Sequence, residues 1–234
     1  MPSDKNRDII VTKNVTKTYS DSGIPVHAIR GIDLTVKNGE FTAIVGPSGC
    51  GKTTFLNIIS GLDTVTEGKV WLGGQLLSQM SGRELSDFRR DSIGFIFQAY
   101  NLIPVLSVEE NVEYIMLLQG VPARERHERV IKMLQLLKME DFADRLPPKL
   151  SGGQQQRVAI ARAMVAEPLL VLADEPTANL DSKSGGELLD LMRKLNQSTG
   201  MTFVFSTHDQ MIMERATRLV TLKDGYIDSD NWRD

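Results

Sequence analysis

Cysteine is almost missing: Cys50 is the one thiol, so no disulfide can form within the chain. That excludes disulfide-stapled scaffolds and fits a reducing compartment. Long apolar runs are missing too. The most continuous stretches, such as LLVLA at 169–173, fall far short of the roughly 20 residues that cross a bilayer. The opening MPSDKNRDII has no apolar core of signal-peptide length, so the chain is expected neither to enter nor to span a membrane by itself. An excess of positive charge is also lacking. The 27 Lys and Arg stand against 30 Asp and Glu, a formal net charge of -3. This argues against a nucleic-acid binder that relies on a broad basic surface. Neither an internal repeat nor a low-complexity segment is visible.

What is present is a globular balance: 234 residues, 41% hydrophobic and 24% charged. That is enough chain for one sizeable core carrying inserted subdomains. DIIVTKNVTKTY and VHAIRGIDLTV read as strands joined by turn chemistry in SDSGIP, a hairpin. NGE at 38–40 is a turn into a further strand, FTAIV. TTFLNIISGL reads as a helix ending at Gly61, and GKVWLGGQLL as a strand pair turning at Gly73 and Gly74. IGFIF at 93–97 is a buried strand. Residues 107–145 change to a helical pattern, with Val130, Ile131, Leu134 and Leu137 as its stripe and Pro122 suited to a first turn. Helical spacing returns at 152–166, then LLVLAD forms a strand, and Leu188, Leu191, Met192 and Leu195 mark another helix. TFVFST, RLVTLKDG and YIDS close the chain as strands and a turn. Strands alternating with helices imply an α/β fold whose parallel sheet is covered on both faces, with the helical block as an insertion.

The chemistry begins in GPSGCGKTT, residues 46–54, between a strand and a helix. Gly46, Gly51, Lys52 and Thr53 match G-x-x-x-x-G-K-[ST]. Glycines let successive backbone N–H groups converge on one anion, and the following helix adds its positive end. Lys52 is a mobile point charge for β- and γ-phosphates, and the Thr53 hydroxyl suits Mg²⁺. The whole loop, with Pro47, Ser48, Gly49, Cys50 and Thr54, is the candidate cradle. LLVLADEP then delivers Asp174 to the carboxyl end of a strand, where it would hold the metal. Glu175, next along, is placed as a general base toward water. Cys50, inside the loop at a helix N-terminus, is expected to have an activated thiol whose alkylation blocks nucleotide binding and which bound ATP protects.

LSGGQQQR at 150–157 lies upstream of LLVLADEP and opens a helix. Together with the loop it closely resembles the ATP-binding-cassette ATPases, over nearly the whole chain. The resemblance implies a P-loop NTPase core of the RecA-like type, an N-terminal antiparallel β subdomain and an α-helical subdomain inserted at about 99–155. It implies ATP and Mg²⁺ as ligands. Tyr19 matches the aromatic that stacks on adenine, and Gln98 the glutamine that touches Mg²⁺ and the attacking water. Ser151, Gly152 and Gly153 match the signature that faces the other subunit's γ-phosphate, with Gln154 to Arg157 read as surface helix. Asp181 matches the aspartate that crosses the dimer interface, and His208 the histidine that hydrogen-bonds the γ-phosphate. His27 and His127 match nothing, the latter lying on a solvated face. Ala178 departs mildly, since relatives often carry Gly or Ser there.

The resemblance further implies a head-to-tail pair of identical chains and a membrane subunit docking around Gln98 and Leu106, at the cytoplasmic face of the membrane. HAIRGIDLTVKNGEF, IGFIFQAYNLIP and ADEPTANLDS look most like the branch of macrolide-exporter, lipoprotein-releasing and cell-division ATPases. A nucleotide-gated regulator of cell-wall machinery, or a soluble cassette ATPase without a transport role, are the alternatives.

Overall fold

The computed structural model describes residues 7–20 and 23–233. Its strands divide into two sheets. The first is antiparallel, in the order β2 (Val26–Lys37), β1 (Asp8–Tyr19), β4 (Glu67–Leu72), β5 (Gln75–Leu76). The expected hairpin is β1 and β2; of its connecting SDSGIP, residues 21 and 22 lie outside the described residues. Gly73 and Gly74, both left-handed, turn β4 into β5 as the glycine pair requires.

The second sheet runs β10 (Tyr226–Trp232), β9 (Arg218–Lys223), β3 (Phe41–Val45), β8 (Thr202–Thr207), β7 (Leu170–Asp174), β6 (Ile93–Ile96). Every pairing in it is parallel except β9 with β10. β3 and β8 are buried at every position, which is why both read as continuous apolar runs. Their side chains still alternate between two cores. Phe41, Ala43, Val45, Phe203, Phe205, Val171 and Ala173 face one cluster. Ile44, Val204, Leu170 and Leu172 face the other.

Helices cover the first face. α3 (Val108–Leu118), α4 (Ala123–Leu136), α5 (Gly152–Met164), α6 (Ser182–Thr199) and the short α7 (Gln210–Arg215) all supply residues to that cluster. The second face is covered by α1 (Lys52–Ile59) and by the antiparallel sheet. The expectation of a parallel sheet covered on both sides holds, with a sheet doing half of the covering.

One helix escaped the sequence reading, α2 (Gly82–Ser92). Its signal is a capping box: the Ser81 hydroxyl accepts from the Glu84 N–H at 3.3 Å, and the Glu84 carboxylate accepts from the Ser81 N–H at 2.8 Å. Few apolar residues follow, so periodicity alone passes over it. Pro122 stands at the N-cap of α4, one position before the expected first turn. Ile131 is 40% exposed, while Val130, Leu134 and Leu137 are buried. A step of one residue turns a helix by 100°, and that carries Ile131 off the stripe.

Gly94 on β6 fixes how closely that strand meets α5. A Cβ built there would lie 2.1 Å from the Ala163 carbonyl oxygen, a backbone atom that cannot swing aside. Gly94→Ala is therefore expected to lower stability by about 1–3 kcal/mol, read as a fall in the urea midpoint at unchanged slope. An unchanged midpoint would show that strand and helix can separate freely.

Candidate active site

β3 ends at Val45 and α1 starts at Lys52, leaving six residues of loop. Two glycines there admit no substitute. At Gly46, φ is 147° and a Cβ would stand 2.2 Å from the Leu222 carbonyl oxygen; at Gly51, φ is 105° and a Cβ would stand 2.6 Å from that of Ala28. The loop is thus pressed onto β9 and β2 by backbone contact. Gly51 caps α1 with no side-chain acceptor, and the first turn carries no acid. The helix presents its N–H groups and positive end uncompensated, as an anion site requires. Lys52 is buried, its Nζ donating to the Gly46 oxygen at 2.7 Å and the Pro47 oxygen at 3.0 Å.

The Thr53 hydroxyl lies 3.4 Å from Asp174 Oδ2, across 121 residues of sequence. A neutral and an anionic oxygen at the mouth of a phosphate-type loop are the hard donors that Mg²⁺ takes, so the residues present fit that ion.

Beyond Asp174 the chain turns sharply. Glu175 is left-handed at φ 44°, a conformation that costs an ordinary side chain roughly 1–2 kcal/mol. Neighbouring bonds hold it there. Its N–H donates to the Ser206 oxygen at 2.9 Å, and Oε2 accepts from the Thr207 hydroxyl at 3.0 Å. Oε1 lies 2.6 Å from His208 Nδ1. The glutamate side chain is 15% exposed, the histidine 74%. The two expected catalytic groups therefore meet each other, with the imidazole on the solvent side.

Tyr19 closes β1 beside α1. Its hydroxyl donates to Asp63 Oδ2 at 2.7 Å. Burial and that bond raise the phenol above its ordinary pKa, against a lowering hydrogen bond with the Thr54 side chain. Gln98 is exposed just past β6, and its carbonyl accepts from Asn179 Nδ2 at 2.7 Å. Ser151 caps α5 in a reciprocal box with Gln154. A Cβ at Gly152 would lie 3.0 Å from the Tyr100 hydroxyl, which places the signature helix against the segment after Gln98. Asp181 caps α6, accepting from the Lys183 and Ser184 N–H groups at 3.1 and 3.0 Å. The hydrogen bonds from Ser184 hold its carboxyl below the ordinary range. Among the described residues no hydrogen bond or ion pair joins Ser151, Gly152 or Gly153 to the loop at 46–54.

Two expectations are corrected. Gln156 is not surface helix: it is fully buried, donating to the Pro176 oxygen at 2.7 Å. Ala159, Ile160 and Ala163 follow it at i+3, i+4 and i+7, spacing that places it on the inner face. Cys50 is 5% exposed and belongs to the apolar cluster under the loop. Its sulfur is turned inward, so the loop does not present a reactive thiol toward solvent. His127, on the expected solvated face, meets Glu109 at 2.9 Å.

A glycine loop on a bare helix end, a hydroxyl–carboxylate pair and a glutamate–histidine pair at neighbouring strand ends define a P-loop nucleotide hydrolase. The comparisons narrow the class. A family model described as "ABC transporter" matches residues 29–178. An uncharacterized ABC transporter ATP-binding protein of Methanocaldococcus jannaschii is 44% identical over 226 residues, 95% of this chain and 96% of that one. A macrolide export ATP-binding/permease protein of Brucella melitensis is 44% identical over 222 residues, and the chain spans 34% of its length. The dimeric structure of a post-hydrolysis state of the ATP-binding cassette MJ0796, bound to ADP and Pi, superposes with a TM-score of 0.89. That cassette is 43% identical, with 97% of this chain and 100% of that one covered. The chain belongs to the ABC transporter family and is an ATP-binding cassette, an ATPase of the P-loop class with ATP and Mg²⁺ as its ligands. Among the described residues no helix is long and apolar enough to cross a membrane.

The inward sulfur predicts that iodoacetamide labels Cys50 about 100-fold more slowly in the folded protein than in denaturant, with or without ATP. Mass spectrometry of the tryptic peptide reads this directly. Rapid native labelling that ATP suppresses would restore the activated thiol.

Proposed function

We propose that two copies of this chain clamp two ATP molecules head to tail, and that closing and opening of the pair drives a membrane subunit. The observation that carries this reading is that, among the described residues, no hydrogen bond or ion pair within one chain joins the glycine loop to Ser151, Gly152 or Gly153. Each set is a helix N-terminus suited to phosphate, and a second copy supplies the missing half.

In each site the loop N–H groups and the α1 end hold the phosphates. Lys52 exchanges the Gly46 and Pro47 carbonyls for β- and γ-phosphate oxygens, a gain of charge-assisted bonds. Thr53 and Asp174, with Gln98, hold Mg²⁺, which when bound neutralises phosphate charge. Glu175 polarises the attacking water, and its bond to Thr207 keeps the carboxylate aimed. His208, tethered by Nδ1, keeps its other ring nitrogen for the γ-phosphate. Tyr19 stacks on adenine. Asp181 reaches across the interface. Loss of the γ-phosphate removes bonds to both copies at once, so the pair opens.

The membrane subunit docks near Gln98–Leu106, where the helical subdomain of about 99–155 meets the core. Phe95, Phe97, Ile103, Tyr114, Arg90 and Arg162 line a groove between the edge strand β6 and α3. Such a groove fits an amphipathic helix. The partner is of the macrolide-exporter and lipoprotein-releasing type, working by a mechanical stroke, and holds this chain at the membrane as a peripheral subunit. The Brucella relative, an ATP-binding/permease protein, supports that direction.

Glu175→Gln tests the reading, because the amide keeps the size and the bonding geometry at Thr207 and His208. ATP hydrolysis is expected to fall at least about 100-fold. Size-exclusion chromatography in Mg-ATP is expected to give a dimer that the wild type forms only transiently. Affinity purification from native membranes in Mg-ATP, followed by mass spectrometry, is expected to recover a membrane protein with a large extracytoplasmic domain. Recovery of only soluble or ribosomal partners would overturn the transport reading.

A further inference from the structure

Asp63 lies in the turn after α1, where Gly61 is left-handed and the Leu62 and Asp63 N–H groups return to the Asn57 oxygen at 2.8 and 3.1 Å. Its carboxylate collects three donors. Oδ2 accepts from the Tyr19 hydroxyl at 2.7 Å; Oδ1 accepts from Lys17 Nζ at 2.6 Å and from the Thr64 N–H at 2.7 Å. Lys17 also donates to the Thr64 oxygen at 2.8 Å. Lys17 and Tyr19 stand two apart on β1 and so share a face, and the ammonium sits 4.9 Å from the Tyr19 ring centroid. Burial works to raise the Asp63 carboxyl, but the bonds from Lys17, Tyr19 and Thr64 hold it below its ordinary value.

We propose that Asp63 and Lys17 are positioning residues for nucleotide binding, fixing the Tyr19 ring as a platform for the base. The proposal rests on the reading of Tyr19 as the adenine-stacking residue. Tyr19 is the last residue of its strand, where an unsupported side chain samples several rotamers. A stacking platform that must be ordered by its ligand loses that ordering entropy from affinity; a pre-ordered one does not. Asp63 pins the ring at its hydroxyl edge. Lys17 covers one ring face, leaving the opposite face for the base, and its charge draws density from the ring, which favours stacking on an electron-rich purine. Because Lys17 is 11% exposed and paired with Asp63, it adds little attraction to phosphates. The effect is therefore confined to the base.

Calorimetry with Mg-ADP and Mg-pyrophosphate separates the base from the phosphates. Tyr19→Ala is expected to weaken ADP about tenfold with pyrophosphate unchanged. Asp63→Ala is expected to weaken ADP about fivefold, again with pyrophosphate unchanged, and Asp63→Asn to recover most of the loss. In a Tyr19→Ala background, Asp63→Ala is expected to add nothing. Should Asp63→Ala not fold, Lys17→Met reads the same ratio and is expected to weaken ADP alone. The inference is overturned if Asp63→Ala or Lys17→Met weakens both ligands equally, spares ADP, or adds its full effect without the ring. If Tyr19→Ala itself spares ADP, the stacking reading falls and takes the inference with it.

Discussion

Three neighbouring strands of the parallel sheet end within one residue of one another, and the site depends on that register. Val45 on β3 stands opposite Thr207 on β8, and Asp174 on β7 stands opposite Ser206. One residue past each strand end the chain becomes Gly46, His208 and Glu175, with Gly46 level with His208 and Glu175 one step lower, beside Thr207. A slip of one residue between β7 and β8 would invert every side chain and carry Val171 and Ala173 out of their core. The register is held by that burial, since Phe203 and Phe205 are fully enclosed on the same face. Packing below the sheet ends thus sets the spacing of the chemistry above them, as expected of ligands bound beyond the carboxyl ends of parallel strands.

The glycine loop shows how much of such a site is legible in a chain of letters. Its ligand follows from residue type and spacing, because few arrangements besides a phosphate cradle use Gly46, Gly51 and Lys52 between a strand and a helix. The alternation of buried runs with helical stripes gave the two-faced sheet for the same reason. Orientation is less legible. Cys50 stands between two glycines that carry no side-chain signal, and only the path of the loop decides that its sulfur turns into the core. Gln156 was readable from its i+3 and i+4 partners, but a polar residue in a polar run conceals that it faces inward. Asp63 left no local signal: its partners Tyr19 and Lys17 are 44 and 46 residues away. α2 announces itself only through its cap, since periodicity weighs apolar residues and α2 offers few.

Contacts on the signature side tie distant segments through carbonyl groups. Arg162 of α5 donates to the Asn101 and Tyr100 oxygens at 2.6 and 2.8 Å. Tyr100 and Asn101 are both left-handed, and the guanidinium accepts that conformation because its fork matches two successive oxygens. Burial lowers the Arg162 pKa, but an arginine remains charged in that setting. Asn179 holds the Gln98 carbonyl and Gln156 holds that of Pro176. Residues 98–101, the signature helix and residues 176–179 are thus joined by hydrogen bonds. The Gln156–Pro176 bond is the buried one, and breaking it would leave groups unpaired at a cost of about 1–3 kcal/mol.

Lys52 has the opposite arrangement. Its ammonium holds two carbonyls of its own loop, so the buried charge is satisfied without any ligand. Neutral carbonyls are weaker partners for a cation than phosphate oxygens. The exchange therefore gains charge-assisted bonds when phosphate arrives, and the ammonium, already buried, adds no desolvation cost of its own. A loop that kept Lys52 unpaired would bind phosphate more tightly but would lose stability while empty. Pairing the lysine with backbone of the same loop keeps the cradle shaped between turnovers, because Gly46 and Pro47 are held where the phosphates will next need them.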